Sequence, residues 1–212
     1  MYVPEHFAMD DAGMIADFIQ ANNFAILSGI DSAGQLIASH LPFMYDAGRG
    51  AHGTLIAHMA RANPQWQGFS PDAEVMVIFH GPHAYVSPSW YAHAPALPSW
   101  NYITVHAYGR PVLIEDEAEK RAMFERMVTE HEAGFDTPWK LEEPEDYLAK
   151  MSRATVAFEI EVSRFDAKAK LSQNRKDDDL SGQVRALRQS TDTAALRLAD
   201  ATETWAQNGA KG

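Results

Sequence analysis

ATVAFEIEV, residues 154–162, is the clearest strand signal in the chain. Apolar and polar side chains alternate along it, which is typical of a β-strand with one face in the core and the other in water. The residues expected to face inward are Ala154, Val156, Phe158, Ile160 and Val162. Thr155, Glu159 and Glu161 are expected to face water, so the stretch predicts one strand of a half-buried sheet.

Further strand patterns occur on the N-terminal side of this stretch, separated by short turns. They predict strands at residues 24–30, 35–41, 54–59, 75–79, 84–87 and 100–114. The strands at 75–79 and 84–87 are expected to form a hairpin around His80-Gly81-Pro82. The strand at 100–114 is expected to break or bulge near Gly109-Arg110-Pro111.

Helices are expected mainly at the ends of the chain and in one insertion. They are predicted after Asp10 or Asp11, after Asp116, after Pro144, and at residues 179–189 and 192–205. The first two begin with an acidic residue of the kind that caps helices. Six or seven short strands with helices at the periphery predict a mainly β fold, an antiparallel β-barrel.

The composition excludes several classes of protein. The chain has 212 residues and no cysteine, so it has no disulfide, thiolate metal site, iron–sulfur cluster or cysteine nucleophile. Its net charge of −11 argues against a general electrostatic attraction to nucleic acid or to an anionic membrane. The N-terminus lacks the pattern of a signal peptide, and no apolar run approaches the roughly 20 residues needed to cross a bilayer. The sequence therefore predicts a soluble cytoplasmic protein without a membrane partner.

Three other patterns match known sites only in part. Residues 48–53, GRGAHG, fit the dinucleotide fingerprint GxGxxG, but a strand rather than a helix is expected to follow, which indicates a hairpin loop. His80, His83 and His93 have neither ligand spacing nor a nearby carboxylate, so no metal site is predicted. No serine lies in a nucleophile elbow, and no catalytic residue is nominated.

Two stretches carry the residue types that bind a flat, anionic cofactor. HMARANPQW, residues 58–66, ends a predicted strand and places Arg61 between two alanines, where a planar ligand can approach. A guanidinium with backbone donors is a common phosphate site. In WNYITVH, residues 100–106, Asn101 and His106 need a protein partner or a ligand if they are buried.

Taken together, the motifs resemble one known family, the PaiB-type FMN-binding negative transcriptional regulators of the pyridoxamine-phosphate-oxidase-like split-barrel group. The matching pieces are MYVPEHF (1–7), SHLPF (39–43), HMARANPQW (58–66), FHGP (79–82), YVSPSWY (85–91), PSWNY (98–102) and KLSQNR (170–175). The resemblance runs in order from residue 1 to about residue 175. It implies a six-stranded antiparallel split β-barrel with peripheral helices, with an FMN-binding domain at residues 1–175 and a C-terminal helical appendage at residues 176–212.

The resemblance also implies a homodimer with FMN in a groove between the subunits. Carried over residue by residue, it places Ser39, His40 and Leu41 beside the isoalloxazine ring and makes His58, Arg61 and Asn63 contacts of the phosphate or the ribityl chain. Lys170, Ser172 and Gln173 would close the site, and Trp100 and Asn101 would contribute from the same or the other chain.

The sequence leaves three functions open. The first is a negative transcriptional regulator that responds to FMN, although no clear helix-turn-helix is present and direct DNA contact is left open. The second is a flavin-dependent oxidoreductase of unknown substrate, in which His40, His58 and His106 would tune the ring or shuttle protons. The third and least favoured is a haem-handling split barrel, which would need a histidine as axial ligand.

Overall fold

The computed structural model describes residues 1–209, and within them seven strands form one sheet. The strands are β1 (Phe24–Ile30), β2 (Leu36–Pro42), β3 (Met44–Asp46), β4 (Thr54–Ala60), β5 (Val75–Val86), β6 (Ser99–Ile114) and β7 (Thr155–Lys170). The helices are α1 (Ala12–Ala21), α2 (Glu117–Glu132), α3 (Glu145–Ala154), α4 (Asp177–Arg188) and α5 (Thr193–Gly209). The last three residues of the predicted C-terminal appendage lie outside the described part.

The strand order is β2-β1-β5-β6-β7-β4-β3. The pairings of β1 with β2 and β5, and of β4 with β3 and β7, are all antiparallel. The predicted mainly β, antiparallel barrel class is therefore confirmed, with two differences. The sheet has seven strands rather than six, because a short β3 follows Pro42, and over residues 1–209 the order has two ends instead of closing.

The chain folds into two compact units. Unit 1 comprises Met1–Asn22, Phe79–His106 and the chain from Asp166 onward, and unit 2 comprises Asn23–Ile78 and Ala107–Phe165. Each of β5, β6 and β7 supplies residues to both units. A separate appendage beyond residue 175 stays a prediction.

Unit 2 is built on two long antiparallel pairings. β1 pairs with β2 along its whole length, from Phe24 opposite Pro42 to Ile30 opposite Leu36. β4 pairs with β7 from Thr54 opposite Glu161 onward. The core side chains that these strands bury completely include Leu27, Phe43, Leu55, Phe158 and Ile160. The loop at residues 48–53 joins β3 to β4, which confirms that its glycines belong to a hairpin.

Unit 1 contains α1, α4 and α5 beside the remaining halves of the long strands. Asp11 caps α1 by accepting the backbone N–H of Met14 at 2.8 Å, as the sequence predicts. The buried apolar side chains of the unit include Ile19, Leu171, Leu187 and Leu198. α4 and α5 thus pack through an apolar face in the core of this unit.

A predicted hairpin and a predicted break in the sheet are wrong. β5 is one continuous strand instead of a hairpin at His80-Gly81-Pro82. Its pairing with β1 covers Met76–Ile78, so the missing N–H of Pro82 falls beyond that ladder. β6 runs through Gly109 without a break, and a bulge there stays a prediction. A Cβ at Gly109 would lie 2.3 Å from the carbonyl oxygen of Glu161, so glycine lets the two strands approach.

Candidate functional site

The turn after β4 brings together two of the predicted site residues of unit 2. Asn63 Nδ2 donates a hydrogen bond to Ser39 Oγ at 2.7 Å. Asn63 Oδ1 accepts the backbone N–H of Gln65 at 3.0 Å and so caps the 3₁₀ helix Pro64–Gly68. The amide of Asn63 therefore holds Ser39 of β2 against this turn. We call Ser39, Arg61 and Asn63 the strand-end set.

Arg61 is held in place by the start of β7. Its Nε donates to the carbonyl oxygen of Arg153 at 2.7 Å, and its Nη2 donates to the carbonyl oxygen of Thr155 at 2.9 Å. A guanidinium has five N–H donors, so three remain without an acceptor among residues 1–209. Because two carbonyls fix its plane, Arg61 presents these donors in one orientation. An exposed guanidinium with open, oriented donors fits a phosphate.

Gln65 and Trp66 support the strand-end set, although neither is among the site residues predicted from the sequence. Trp66 Nε1 donates to the carbonyl oxygen of Arg61 at 3.0 Å, and its ring lies 5.7 Å from the guanidinium carbon. Gln65 is almost fully buried and donates from Nε2 to the carbonyl oxygen of Leu27 at 3.0 Å. Both residues lie inside the HMARANPQW motif, which was the available signal. The motif therefore contains the residues that hold the turn in place as well as the charged side chain of Arg61.

His58 lies under α2 rather than in a hydrogen bond with the strand-end set. Its ring centroid is 5.1 Å from that of Phe124, and its Nδ1 is buried without a partner among residues 1–209. Burial lowers the pKa of His58 below its ordinary value of 6.5, so the imidazole is neutral at pH 7. A contact of His58 with the phosphate or ribityl chain stays a prediction.

We expect His58 to make the fold sensitive to acid. Its pKa is lower in the folded than in the unfolded chain, so the unfolded chain binds more protons as the pH falls. The stabilisation is complete above about pH 6.5 and is lost as the pH falls through the folded-state value. Urea unfolding at pH 7.5 and 5.5 should show a smaller loss of unfolding free energy for His58→Leu than for the original chain. His131 lies at an exposed position on α2 and serves as the control. If His131→Leu reduces the loss of unfolding free energy between pH 7.5 and 5.5 as much as His58→Leu does, this role of His58 is contradicted.

The other two predicted residues on β2 lie on opposite faces of the strand. Leu41 shares a face with Ser39, since side chains two positions apart point the same way. His40 lies on the exposed face, where its ring centroid is 6.4 Å from that of Phe24. β2 is the first strand in the sheet order, so one of its edges has no strand partner among the described residues.

In unit 1, Asn101 and Ser172 meet in a buried polar network. Asn101 Nδ2 donates to Ser172 Oγ at 2.8 Å and to Gln183 Oε1 at 3.3 Å. Tyr91 Oη shares a hydrogen bond with Ser172 Oγ at 3.1 Å. Ser172 has a φ of 69°, which a serine rarely adopts, and the network stabilises it there. The prediction that a buried Asn101 would need a partner is confirmed, while its Oδ1 has none within residues 1–209.

The remaining predicted residues of unit 1 differ in whether their side chains are already hydrogen-bonded to the backbone. Both polar atoms of the Gln173 side chain bond the neighbouring backbone. Nε2 donates to the carbonyl oxygen of Ala169, and Oε1 accepts the N–H of Leu171. Lys170 Nζ donates to Ser99 Oγ at 2.5 Å, and the ring of Trp100 is 56% exposed. Lys170 and Trp100 are thus available to a ligand, whereas Gln173 acts on the backbone.

The described residues provide neither a metal cluster nor a membrane-spanning helix. No group of three or more histidine, aspartate or glutamate side chains in residues 1–209 is placed to hold a metal ion. No described helix is long and apolar enough to span a bilayer.

Comparison with known proteins identifies the family. Residues 1–164 match the family described as "Putative FMN-binding domain". A relative from Bacillus subtilis (strain 168), Protease synthase and sporulation protein PAI 2, is 34% identical over 206 residues, which cover 96% of this chain and 97% of the relative.

Two solved structures share the fold. The flavocytochrome Anf3 from Azotobacter vinelandii superposes with a TM-score of 0.62 at 16% identity, covering 85% of this chain and 78% of that one. The FAD and heme binding protein from Mycobacterium smegmatis gives a TM-score of 0.58 at 18% identity, covering 82% and 78%. At these identities the likeness establishes the split-barrel fold alone. The family match and the Bacillus relative show that this chain belongs to the PaiB-type FMN-binding family, with FMN as its cofactor.

Proposed function

We propose that the chain is an FMN-binding negative transcriptional regulator that works as a homodimer, with the flavin held in a groove at the subunit interface. The oriented guanidinium of Arg61 supports the binding part of this proposal. The regulatory part is supported by the 34% identity to a Bacillus protein named for protease synthesis and sporulation. When bound, FMN supplies a redox-active ring whose state a regulator can report.

In this proposal Arg61 binds the phosphate of FMN. Its three open N–H groups match the oxygens of a phosphate, and a charge-assisted hydrogen bond is stronger than a neutral one. Ser39 accepts from Asn63, so its own hydroxyl proton remains free to donate to the ligand. The free edge of β2 suits the isoalloxazine, because that ring carries donors and acceptors along one side. The other predicted site residues remain proposed contacts of the flavin, and each needs its own variant: Lys170, Ser172, Gln173, Trp100, Asn101, His58, His40 and Leu41.

Trp66 is proposed as a positioning residue for Arg61. Trp66→Phe keeps an aromatic ring but removes the N–H that bonds the carbonyl oxygen of Arg61. We expect FMN binding to weaken by about 0.5–1.5 kcal/mol, roughly two- to twelvefold. Isothermal titration with FMN and with riboflavin tests this, since riboflavin lacks the phosphate. Equal losses for both ligands would mean that Trp66 does not act through Arg61.

The homodimer is supported by exposed apolar side chains on β1 and β2. Leu36 is 83% exposed and Phe24 is 66% exposed. Apolar side chains on the edge of a sheet mark a surface that a second copy can cover. Leu36→Lys is therefore expected to shift the protein to monomers in sedimentation velocity and to weaken FMN binding, while Val112→Lys, at an exposed position on β6, does neither. Two variants with the same sedimentation would contradict this interface.

Direct contact with DNA is not part of the proposal. Five arginines are each within ion-pair distance of a carboxylate, which leaves less cationic surface for phosphates: Arg49, Arg121, Arg126, Arg164 and Arg188. With a net charge of −11, regulation through a protein or small-molecule partner is favoured. A gel-shift series at rising salt should show no salt-sensitive DNA complex, and a salt-sensitive one would overturn this part.

A second candidate is a flavin-dependent oxidoreductase, which the neutral, half-buried His58 favours. A neutral imidazole with an unpartnered Nδ1 is able to accept a proton, and the imidazolium so formed is able to return it. Rapid mixing of the FMN-loaded protein with NADH or NADPH separates the two functions. Fast loss of the flavin absorbance supports the enzyme, and slow or absent reduction supports the regulator.

A further inference from the structure

Unit 1 contains a cavity of about 390 Å³ that is lined by aromatic side chains. We call it the aromatic cavity and define it by Tyr85, Trp90, Trp100, Leu187, Ser190 and Asp192. Its volume falls within the range of small-molecule sites, roughly 300–1,000 Å³. Apart from Trp100, these residues have no part in the FMN site proposed above.

Two aromatic rings of the cavity are unusually open to solvent. Trp100 is 56% exposed and Tyr85 is 47% exposed, and their ring centroids lie 6.3 Å apart with planes at 72°. Rings at this angle form two sides of a corner. Such rings gain little from burial in the folded chain, so they are better placed to contact a ligand. Trp90 adds a third ring to the wall.

The polar groups at the cavity favour a positive charge. Asp192 contributes an exposed carboxylate. Ser190 follows the C-terminal end of α4, where a helix carries a partial negative charge. Arg188, the nearest cation along the chain, is within 2.6 Å of carboxylate oxygens of both Asp200 and Glu203. The charge of Arg188 is therefore compensated. Asp192 Oδ1 accepts the backbone N–H of Ala194 at 2.9 Å, so Oδ2 is the carboxylate oxygen that remains for a ligand.

The two walls of the cavity are fixed to each other by close contacts within unit 1. Gly182 of α4 lies so close to the backbone of Trp90 that a Cβ would be 2.1 Å from its carbonyl oxygen. Asp179 accepts the backbone N–H groups of Ala92 and His93 at 2.8 and 2.9 Å. Burial alone would raise the pKa of Asp179, but the hydrogen bonds from His93 and Ala92 outweigh it and lower the pKa. The cavity is thus built before any ligand enters, which reduces the cost of binding.

We propose that the aromatic cavity binds a small organic cation, an alkylated ammonium ion. Aromatic faces attract such ions through cation–π interactions, and a carboxylate adds a direct charge partner. A neutral aromatic ligand would use the rings but not Asp192, and an anion would be repelled by it. This site shares Trp100 with the proposed flavin contacts, but it uses neither Arg61 nor the rest of the strand-end set, and its ligand differs from FMN in charge.

The test compares choline with 3,3-dimethylbutan-1-ol, a neutral molecule of the same shape. Isothermal titration of the FMN-loaded protein should show saturable binding of choline and at least tenfold weaker binding of the alcohol. Asp192→Asn should weaken choline binding about tenfold while leaving the affinity for the alcohol unchanged. Asparagine also caps helices, so this variant keeps the N–H bond from Ala194 that begins α5.

Two controls make the test decisive. Asp178→Asn removes the same charge from an exposed position in α4 outside the cavity and should leave choline binding unchanged. Tyr85→Leu should weaken choline binding, with circular dichroism and FMN affinity unchanged. Equal binding of choline and the alcohol, equal losses in Asp178→Asn and Asp192→Asn, or no saturable binding of choline would each overturn the proposal.

Discussion

Replacing Arg61 by alanine is expected to weaken FMN binding by about 1.5–3 kcal/mol, roughly 10- to 150-fold. The reason is the loss of oriented, charged donors that the carbonyl oxygens of Arg153 and Thr155 hold in place. Riboflavin, which has no phosphate, should bind the variant and the original chain equally. Titration of both ligands therefore measures the phosphate contribution separately from the ring.

Two further variants control this measurement. Arg61→Lys keeps the charge but cannot bond both carbonyls with a planar fork, so an intermediate loss is expected. Arg153→Ala removes an exposed arginine whose backbone carbonyl remains to bond Arg61, and it should bind FMN normally. An Arg61→Ala protein with unchanged FMN affinity would place the phosphate elsewhere.

Replacing Gly182 by alanine is expected to destabilise the fold by about 1–3 kcal/mol. In an ordinary helix the same change is stabilising by roughly 1 kcal/mol, because alanine is the better helix former. Here the new Cβ would lie 2.1 Å from the carbonyl oxygen of Trp90, so α4 must move off that backbone. The sign of the change in unfolding free energy thus reports the close approach.

Urea unfolding of Gly182→Ala and of a control glycine variant measures this effect. Gly134→Ala is the control, since a Cβ at Gly134 meets nothing within 4 Å. The control should change the unfolding free energy by less than about 0.5 kcal/mol. Stabilisation by Gly182→Ala would contradict the packing of α4 on Trp90. The choline affinity of Gly182→Ala should fall as well, because the cavity wall moves.

Much of the fold could be predicted because local signals and tertiary packing agree. The alternation along residues 154–162 identifies β7, and Asp11 and Asp116 cap the helices expected after them. β7 nevertheless continues to Lys170, beyond the point where the apolar alternation stops. There Ser163 Oγ donates to the carbonyl oxygen of Tyr108, and the guanidinium of Arg164 lies 3.8 Å from the ring of Tyr108. Contacts with a residue 55 positions away leave no local pattern in the sequence.

The same limit explains the wrong prediction of a hairpin at Gly81. Glycine next to proline usually marks a turn, yet a Cβ at Gly81 would lie 2.5 Å from the ring of Phe18. The glycine is needed so that α1 can approach the strand. A close approach and a turn require the same residue, and only the structure distinguishes them.

The sequence shows which polar residue types lie at the end of β4, but it does not show which residues hold them in place. The motif at residues 58–66 identified Arg61 and Asn63 as polar groups at a strand end, and Asn63 does meet Ser39. The carbonyls that orient Arg61 come from residues 153 and 155, which are more than 90 positions away. Sequence motifs show which side chains are present. Every residue has a backbone carbonyl, so the sequence does not show which carbonyls will bond Arg61.

The most direct test of this account is an FMN titration of the purified protein, followed by its visible absorption spectrum. We expect saturable binding of about one FMN per chain, with a shifted and structured isoalloxazine band, and no comparable uptake of haem. A protein that ignores FMN at every concentration, or takes up haem in its place, would contradict the proposed site while leaving the split-barrel fold intact.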